Sequence, residues 1–89
     1  MPRRERLDIL EDMLAAIQRK GGEMRPTHLM YKANLAHRQL KTYLDELLSK
    51  ELVAKTERKG SEYVLITDSG NRFLEKLREM RAFEQTFGI

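Results

Sequence analysis

The chain of 89 residues contains no cysteine. That absence excludes a disulfide framework and a thiolate metal site, and it leaves no sign of an oxidising compartment. Long apolar runs are missing too. The longest clear one is Tyr63-Val64-Leu65-Ile66, far short of the ~18 residues of a membrane span. The first residues, MPRRERLD, are charged, and no apolar signal core follows them; the expectation is an intracellular protein outside the membrane. There is also little from which to build a catalytic site. The two histidines, His28 and His37, fall on different expected helices with no third ligand in view. No carboxylate pair sits in a recognisable motif, and no Gly-rich phosphate loop is present. These absences predict no catalytic residues, no metal, no cofactor and no enzyme.

One more absence is local. Residues 24–44 hold no acidic residue, although the chain has 14 Asp and Glu in all. The same stretch holds Arg25, Lys32, Arg38 and Lys41, four cations against no anion, in a chain whose net charge is +3. A polyanion responds to the face it docks against rather than to the molecule's total charge. This segment is therefore where a nucleic acid is expected to bind.

What is present makes one domain with one modest core. Apolar residues are 40% of the chain and charged residues 35%. Residues 4–20 read as a helix, with Leu7, Leu10, Met13, Leu14 and Ile17 at spacings of three and four. Gly21-Gly22 stops it, after Arg19 and Lys20 in a last turn where the helix dipole favours cations. Pro26 suits the first turn of a short helix that runs to about residue 33, with Leu29, Met30 and Ala33 on its apolar side. Asn34, which tolerates the left-handed conformation, is the expected turn residue. A third helix covers residues 36–50, with Leu40, Tyr43, Leu44, Leu47 and Leu48 as its buried stripe. Gln39 stands where a capping box needs it, but Ala36 has no side-chain oxygen to complete the box.

Beyond Leu52 the pattern changes. Residues 53–58 and 62–66 read as strands around a turn at Lys59-Gly60-Ser61, which makes a hairpin. Thr67 is the expected N-cap of a last helix, with Asp68 in its first turn. The order predicts an α+β fold, mostly α: a winged helix-turn-helix of three helices and a β-hairpin wing, with an added C-terminal helix. Residues 1–67 form the expected DNA-binding part. Residues 68–89 form a helix packed on that part and used for dimerisation.

The third helix would place Arg38, Lys41, Thr42 and Asp45 opposite its core face. The first three lie in the N-terminal half, the part of a recognition helix that reaches base edges. Arg38 suits a bidentate contact to guanine and Gln39, where its side chain is free, one to adenine, while Lys41 suits phosphate. His37 would donate to phosphate or base at the start of the helix. Arg25, Thr27, His28 and Lys32 are expected phosphate contacts around the second helix. Lys55, Arg58 and Lys59 are expected on the wing, opposed in part by Glu57 and Glu62. Tyr31 and Tyr43 are expected at the edge of the core.

The segments MYKANLAHRQLKTYLDELLSKELV and YVLITDSGNRFLEKL, with a hairpin between them, resemble the small archaeal winged-helix DNA-binding proteins. The resemblance covers residues 27–77. Members of that group often carry Ser at the position of Ala36 and pair through a C-terminal helix as an antiparallel coiled coil. The resemblance implies double-stranded DNA binding in the cytoplasm, at the nucleoid, as a transcriptional regulator or chromatin-like protein. Phe73, Leu77, Met80, Phe83 and Phe87 form an apolar stripe on the last helix, flanked by mixed charge, and are the expected homodimer interface, with packing on the first helix of the same chain an equal alternative for Phe73 and Leu77.

Two other functions fit the same fold. A winged helix used for protein contact is the main rival. Against it, protein interfaces are depleted of lysine at their centre, where this chain would place Lys41 beside Arg38. RNA ranks lower, because no aromatic stacking surface is evident.

Overall fold

The computed structural model describes residues 5–89. Helix α1 (Arg6–Arg19) buries Ile9, Leu10, Met13, Leu14 and Ile17. Its expected start at Arg4 lies outside the described residues. Leu7, placed on the apolar stripe by its spacing, is exposed in the first turn. Helix α2 (Pro26–Lys32) opens on the proline and buries Leu29. Helix α3 (His37–Ser49) buries Leu40, Leu44 and Leu47, with Tyr43 and Leu48 half-buried against the same core.

These three helices stop in the same way. The N–H of Gly22 donates to Ile17 O, that of Leu35 to Met30 O, and that of Leu52 to Leu47 O, at 2.9, 2.9 and 3.0 Å. Each bond needs a left-handed residue just before the donor. Gly21, Asn34 and Glu51 fill that position with φ of 90°, 55° and 59°. Asn34 thus sets the turn between α2 and α3, as its side chain suggested.

Three strands form one sheet in the order β1-β3-β2: β1 (Glu23–Met24), β2 (Val53–Arg58) and β3 (Ser61–Ile66). All neighbours are antiparallel. The wing turns on two residues, Lys59 and Gly60, both left-handed with φ of 50° and 77°. Such a two-residue turn matches the twist of the strands it joins. Ser61, expected in the turn, is the first residue of β3. Strand β1 was not foreseen in the sequence. It forms because the chain leaving Gly22 pairs with β3 through Glu23↔Leu65 and Met24↔Val64.

Helix α4 (Asp68–Phe87) is capped by Thr67, whose Oγ1 accepts from Gly70 N at 3.0 Å. It runs antiparallel to α1. Gln18 Nε2 near the end of α1 donates to Asn71 Oδ1 at 2.9 Å, while Arg81 meets Asp8 and Glu11 near its start. Arg81 Nη2 donates to Asp8 Oδ1, and its Nε lies 2.7 Å from Glu11 Oε1 without hydrogen-bond alignment. The bond to Asp8 pushes the Arg81 guanidinium above its already high ordinary pKa. Among the described residues, no helix is long and apolar enough to cross a membrane.

Candidate nucleic-acid interface

The start of α3 is organised by one side chain. Ala36 has extended backbone, φ −72° and ψ 158°, and its N–H donates to Gln39 Oε1 at 2.9 Å. Alanine cannot return the bond to the helix, so only half of a capping box exists. The Gln39 oxygen is thereby occupied. A bidentate pair with adenine needs that oxygen and the amide nitrogen together, so it would require Gln39 to release Ala36. The condition for Gln39 as a base reader, a free side chain, is not met in this structure, where it holds the helix start.

His37, Arg38, Lys41 and Thr42 are all exposed. Thr42 Oγ1 donates to Arg38 O at 3.1 Å, which leaves its lone pairs outward. Among the described residues, Arg38 and Lys41 form no ion pair. The acids of the second half of α3 are partly committed elsewhere. Glu46 accepts from Arg6 of α1, with Nε to Oε1 at 3.0 Å and a second bond from Nη2. Lys50 Nζ lies 3.7 Å from the same carboxylate. The Arg6 hydrogen bond, more than the charges around it, holds the Glu46 carboxyl below its ordinary pKa.

The other expected contacts divide into free and committed groups. Thr27, His28 and Lys32 are exposed on α2. His28 and Lys32 line an open groove with Arg19 and Lys20 from the end of α1 and with Asp12, so cations continue past the segment that lacks acids, there beside one carboxylate. On the wing, Lys55 Nζ lies 3.7 Å from Glu62 Oε1. Arg58 Nη1 donates to Glu23 Oε1 at 2.6 Å, and Glu23 Oε2 is enclosed without a hydrogen-bond partner among the described residues. Arg58 therefore ties the wing to β1 and is not a free cation. Lys59 at the wing tip has no ion pair among the described residues. Arg25 Nη2 donates to Ser61 Oγ at 3.0 Å.

The apolar stripe of α4 divides as well. Leu77 is only 6% exposed and Leu74 is fully buried, so both belong to the chain's own core. That corrects Leu77 as a residue open to a second chain. Phe73 is half-buried against the core. Met80, Phe83 and Phe87 are 45%, 56% and 65% exposed, and the two phenylalanine rings lie 4.8 Å apart, tilted by 43°. Tyr31, expected at the core edge, is instead 72% exposed; α2 is too short to bury more than its Leu29 side. Residues not singled out by the sequence as binding groups are Arg19, Lys20, Ser61 and Tyr63. The signal for the last two is the register of β1, which only the folded sheet reveals.

Comparison with known proteins agrees with this architecture. A winged helix-turn-helix family model matches residues 3–85. An uncharacterised protein of Methanocaldococcus jannaschii is 33% identical over 78 residues, 88% of this chain and 34% of that protein. The chain thus spans about a third of the curated relative it matches. A winged-helix DNA-binding protein from STIV superposes with a TM-score of 0.75 at 16% identity, covering 92% of both chains. A DNA-binding protein from Sulfolobus solfataricus gives 0.65 at 17% identity, over 89% of this chain and 86% of that one. A MarR family transcriptional regulator from Streptomyces coelicolor gives 0.74 at 21% identity, over 89% and 57%. At these identities the structural matches show the fold alone.

Proposed function

The chain belongs to the winged helix-turn-helix family, and on that premise we propose that it binds double-stranded DNA as a homodimer and acts as a transcriptional regulator or chromatin-like protein. Helix α3 enters the major groove, and the wing tip with Lys59 follows the adjacent backbone. The observation that carries this reading is the exposed pair Arg38 and Lys41 in the first half of α3, without an ion pair among the described residues and on a stretch with no acid. A duplex supplies the missing counter-charge at the spacing of its phosphates. Arg38 has the forked geometry that reads guanine, while Lys41 is a point charge suited to the backbone. His37, Thr42, Arg25, Thr27, His28 and Lys32 add contacts around them. Dimerisation rests on Met80, Phe83 and Phe87 of α4.

The roles are separable by experiment. After selection of a preferred site from random duplexes, Arg38→Ala costs ~1–3 kcal/mol on that site and relaxes its sequence preference. Lys41→Ala weakens all duplexes alike and flattens the salt dependence. Equal loss of preference in both variants contradicts the assignment. Preference for single-stranded RNA over duplex in direct competition contradicts the proposed ligand.

A further inference from the structure

The open face of the sheet carries an arrangement that the basic segment alone does not explain. Side chains alternate between the two faces of a strand. Met24, Val53 and Val64 point into the core, and Met24 is paired with Val64. Glu23, Ser61, Tyr63, Leu65, Thr56 and Arg58 therefore share the opposite face. Arg25 continues the extended backbone of β1, with φ −70° and ψ 144°, which brings it alongside Tyr63. Both Arg25 and Arg58 lie over the Tyr63 ring, with Cζ at 5.8 and 5.9 Å from its centroid.

The two arginines differ in what else they hold. Arg58 is neutralised by Glu23. Arg25 has no ion pair among the described residues and donates one of its five N–H groups to Ser61 Oγ. Ser61 accepts that bond through an oxygen lone pair. Arg25, Ser61 and Thr27 border one small open groove, with Pro26 and Glu62. Glu62 opposes an anion there, but its carboxylate is within 3.7 Å of Lys55.

We propose that Tyr63 and Ser61 are positioning residues that hold the Arg25 guanidinium as a clamp for one DNA phosphate at the junction of wing and α2. The proposal rests on the DNA-binding reading above and adds the device that orders one contact. A free arginine loses much rotamer freedom when it grips a phosphate; one already stacked on an aromatic face and bonded to a hydroxyl loses less. Arg25 then offers the phosphate its remaining N–H groups, with the guanidinium held by the Tyr63 ring and the Ser61 hydroxyl. Strand β1 sets the spacing of Arg25 and Ser61.

The test is fluorescence anisotropy with a mixed-sequence duplex at stepped salt, on the full chain and its variants, with urea midpoints as a control for folding. Arg25→Ala lowers the slope of log K against log[salt] by about 0.9, the loss of one phosphate contact. Tyr63→Leu weakens binding about threefold, as expected for an exposed cation–π contact, whereas Tyr63→Phe retains wild-type affinity. In the Arg25→Ala background neither Tyr63→Leu nor Ser61→Ala weakens binding further, because both act through Arg25. Ser61→Ala keeps the test open if Tyr63→Leu lowers the urea midpoint. An unchanged salt slope in Arg25→Ala, or losses that add to it, overturns the clamp while leaving DNA binding intact. Absence of duplex binding by the unaltered chain overturns the DNA-binding reading and the clamp with it.

Discussion

Three single residues decide how well the helices of this fold are held. Gly70 packs against the backbone of Leu52: a Cβ there would collide with the Leu52 carbonyl oxygen and stand 2.8 Å from Ile66 Cγ1. Backbone cannot yield as a side chain can. Gly70→Ala is expected to cost about 1–3 kcal/mol or more, as overpacking does, measured from urea unfolding. Glu51 bears a left-handed φ of 59° that costs an L-residue about 1–2 kcal/mol. Glu51→Gly should stabilise the protein by about 1 kcal/mol in the same assay, less what glycine adds to the entropy of the unfolded chain. Ala36 leaves the cap of α3 half-made. Ala36→Ser supplies the missing acceptor and should add about 1 kcal/mol. No gain in thermal midpoint would mean that its extended backbone does not present the hydroxyl to the helix.

At the scale of elements, ion pairs join α1 to both α3 and α4. The Glu46 carboxyl is held below its ordinary pKa, mainly by its hydrogen bond from Arg6. A depressed carboxylate contributes stability in full above its unfolded pKa and loses it as pH falls through the folded one. Unfolding midpoints should therefore fall below about pH 4, and Glu46→Gln should make that fall shallower. An identical acid limb in the variant would show that the pair is not populated in solution.

Helix α4 also shows where sequence reading stops. Its extent and its Thr67 cap were legible from propensity and capping chemistry. The apolar stripe drawn through Phe73, Leu77, Met80, Phe83 and Phe87 joined two faces into one. At about 100° per residue, Gly70, Leu74, Leu77 and Arg81 make the core-facing arc. Met80, Phe83 and Phe87 lie roughly 100° further round. Arg81 hid the first arc, because it continues the core face with a charge paired to Asp8 and Glu11. Strand β1 was invisible for a different reason: two residues carry no periodicity, and pairing with β3 creates the strand. The helix-turn-helix, by contrast, was readable in detail, since Pro26 and Asn34 fix its corners locally. The exposed arc of α4 is the proposed dimer surface. Phe83→Glu should shift sedimentation at high micromolar concentration from dimer to monomer without lowering helix content. A monomer in the unaltered protein would remove the dimer.

At the scale of the whole molecule, charge and shape act together. The molecule is long, 48 × 28 × 22 Å. Helix α4 continues six residues past Arg81, about 9 Å at the helical rise, beyond the level of Asp8 and Glu11 on α1. Pairing two such ends would present two copies of α3, and a symmetric site would then place its half-sites about 34 Å, one helical turn, apart. Basic residues extend the surface from α3 through α2 to the end of α1, while Glu46, Glu23 and Glu62 are engaged by Arg6, Arg58 and Lys55.

The most direct test of that claim is a salt titration of anisotropy with a mixed-sequence duplex, run beside an Arg38→Ala/Lys41→Ala double variant. Binding by the unaltered chain is expected to fall steeply and linearly with log[salt], with a shallower slope for the variant. No binding to mixed or genomic duplexes at low salt, or the same slope in both proteins, would contradict it.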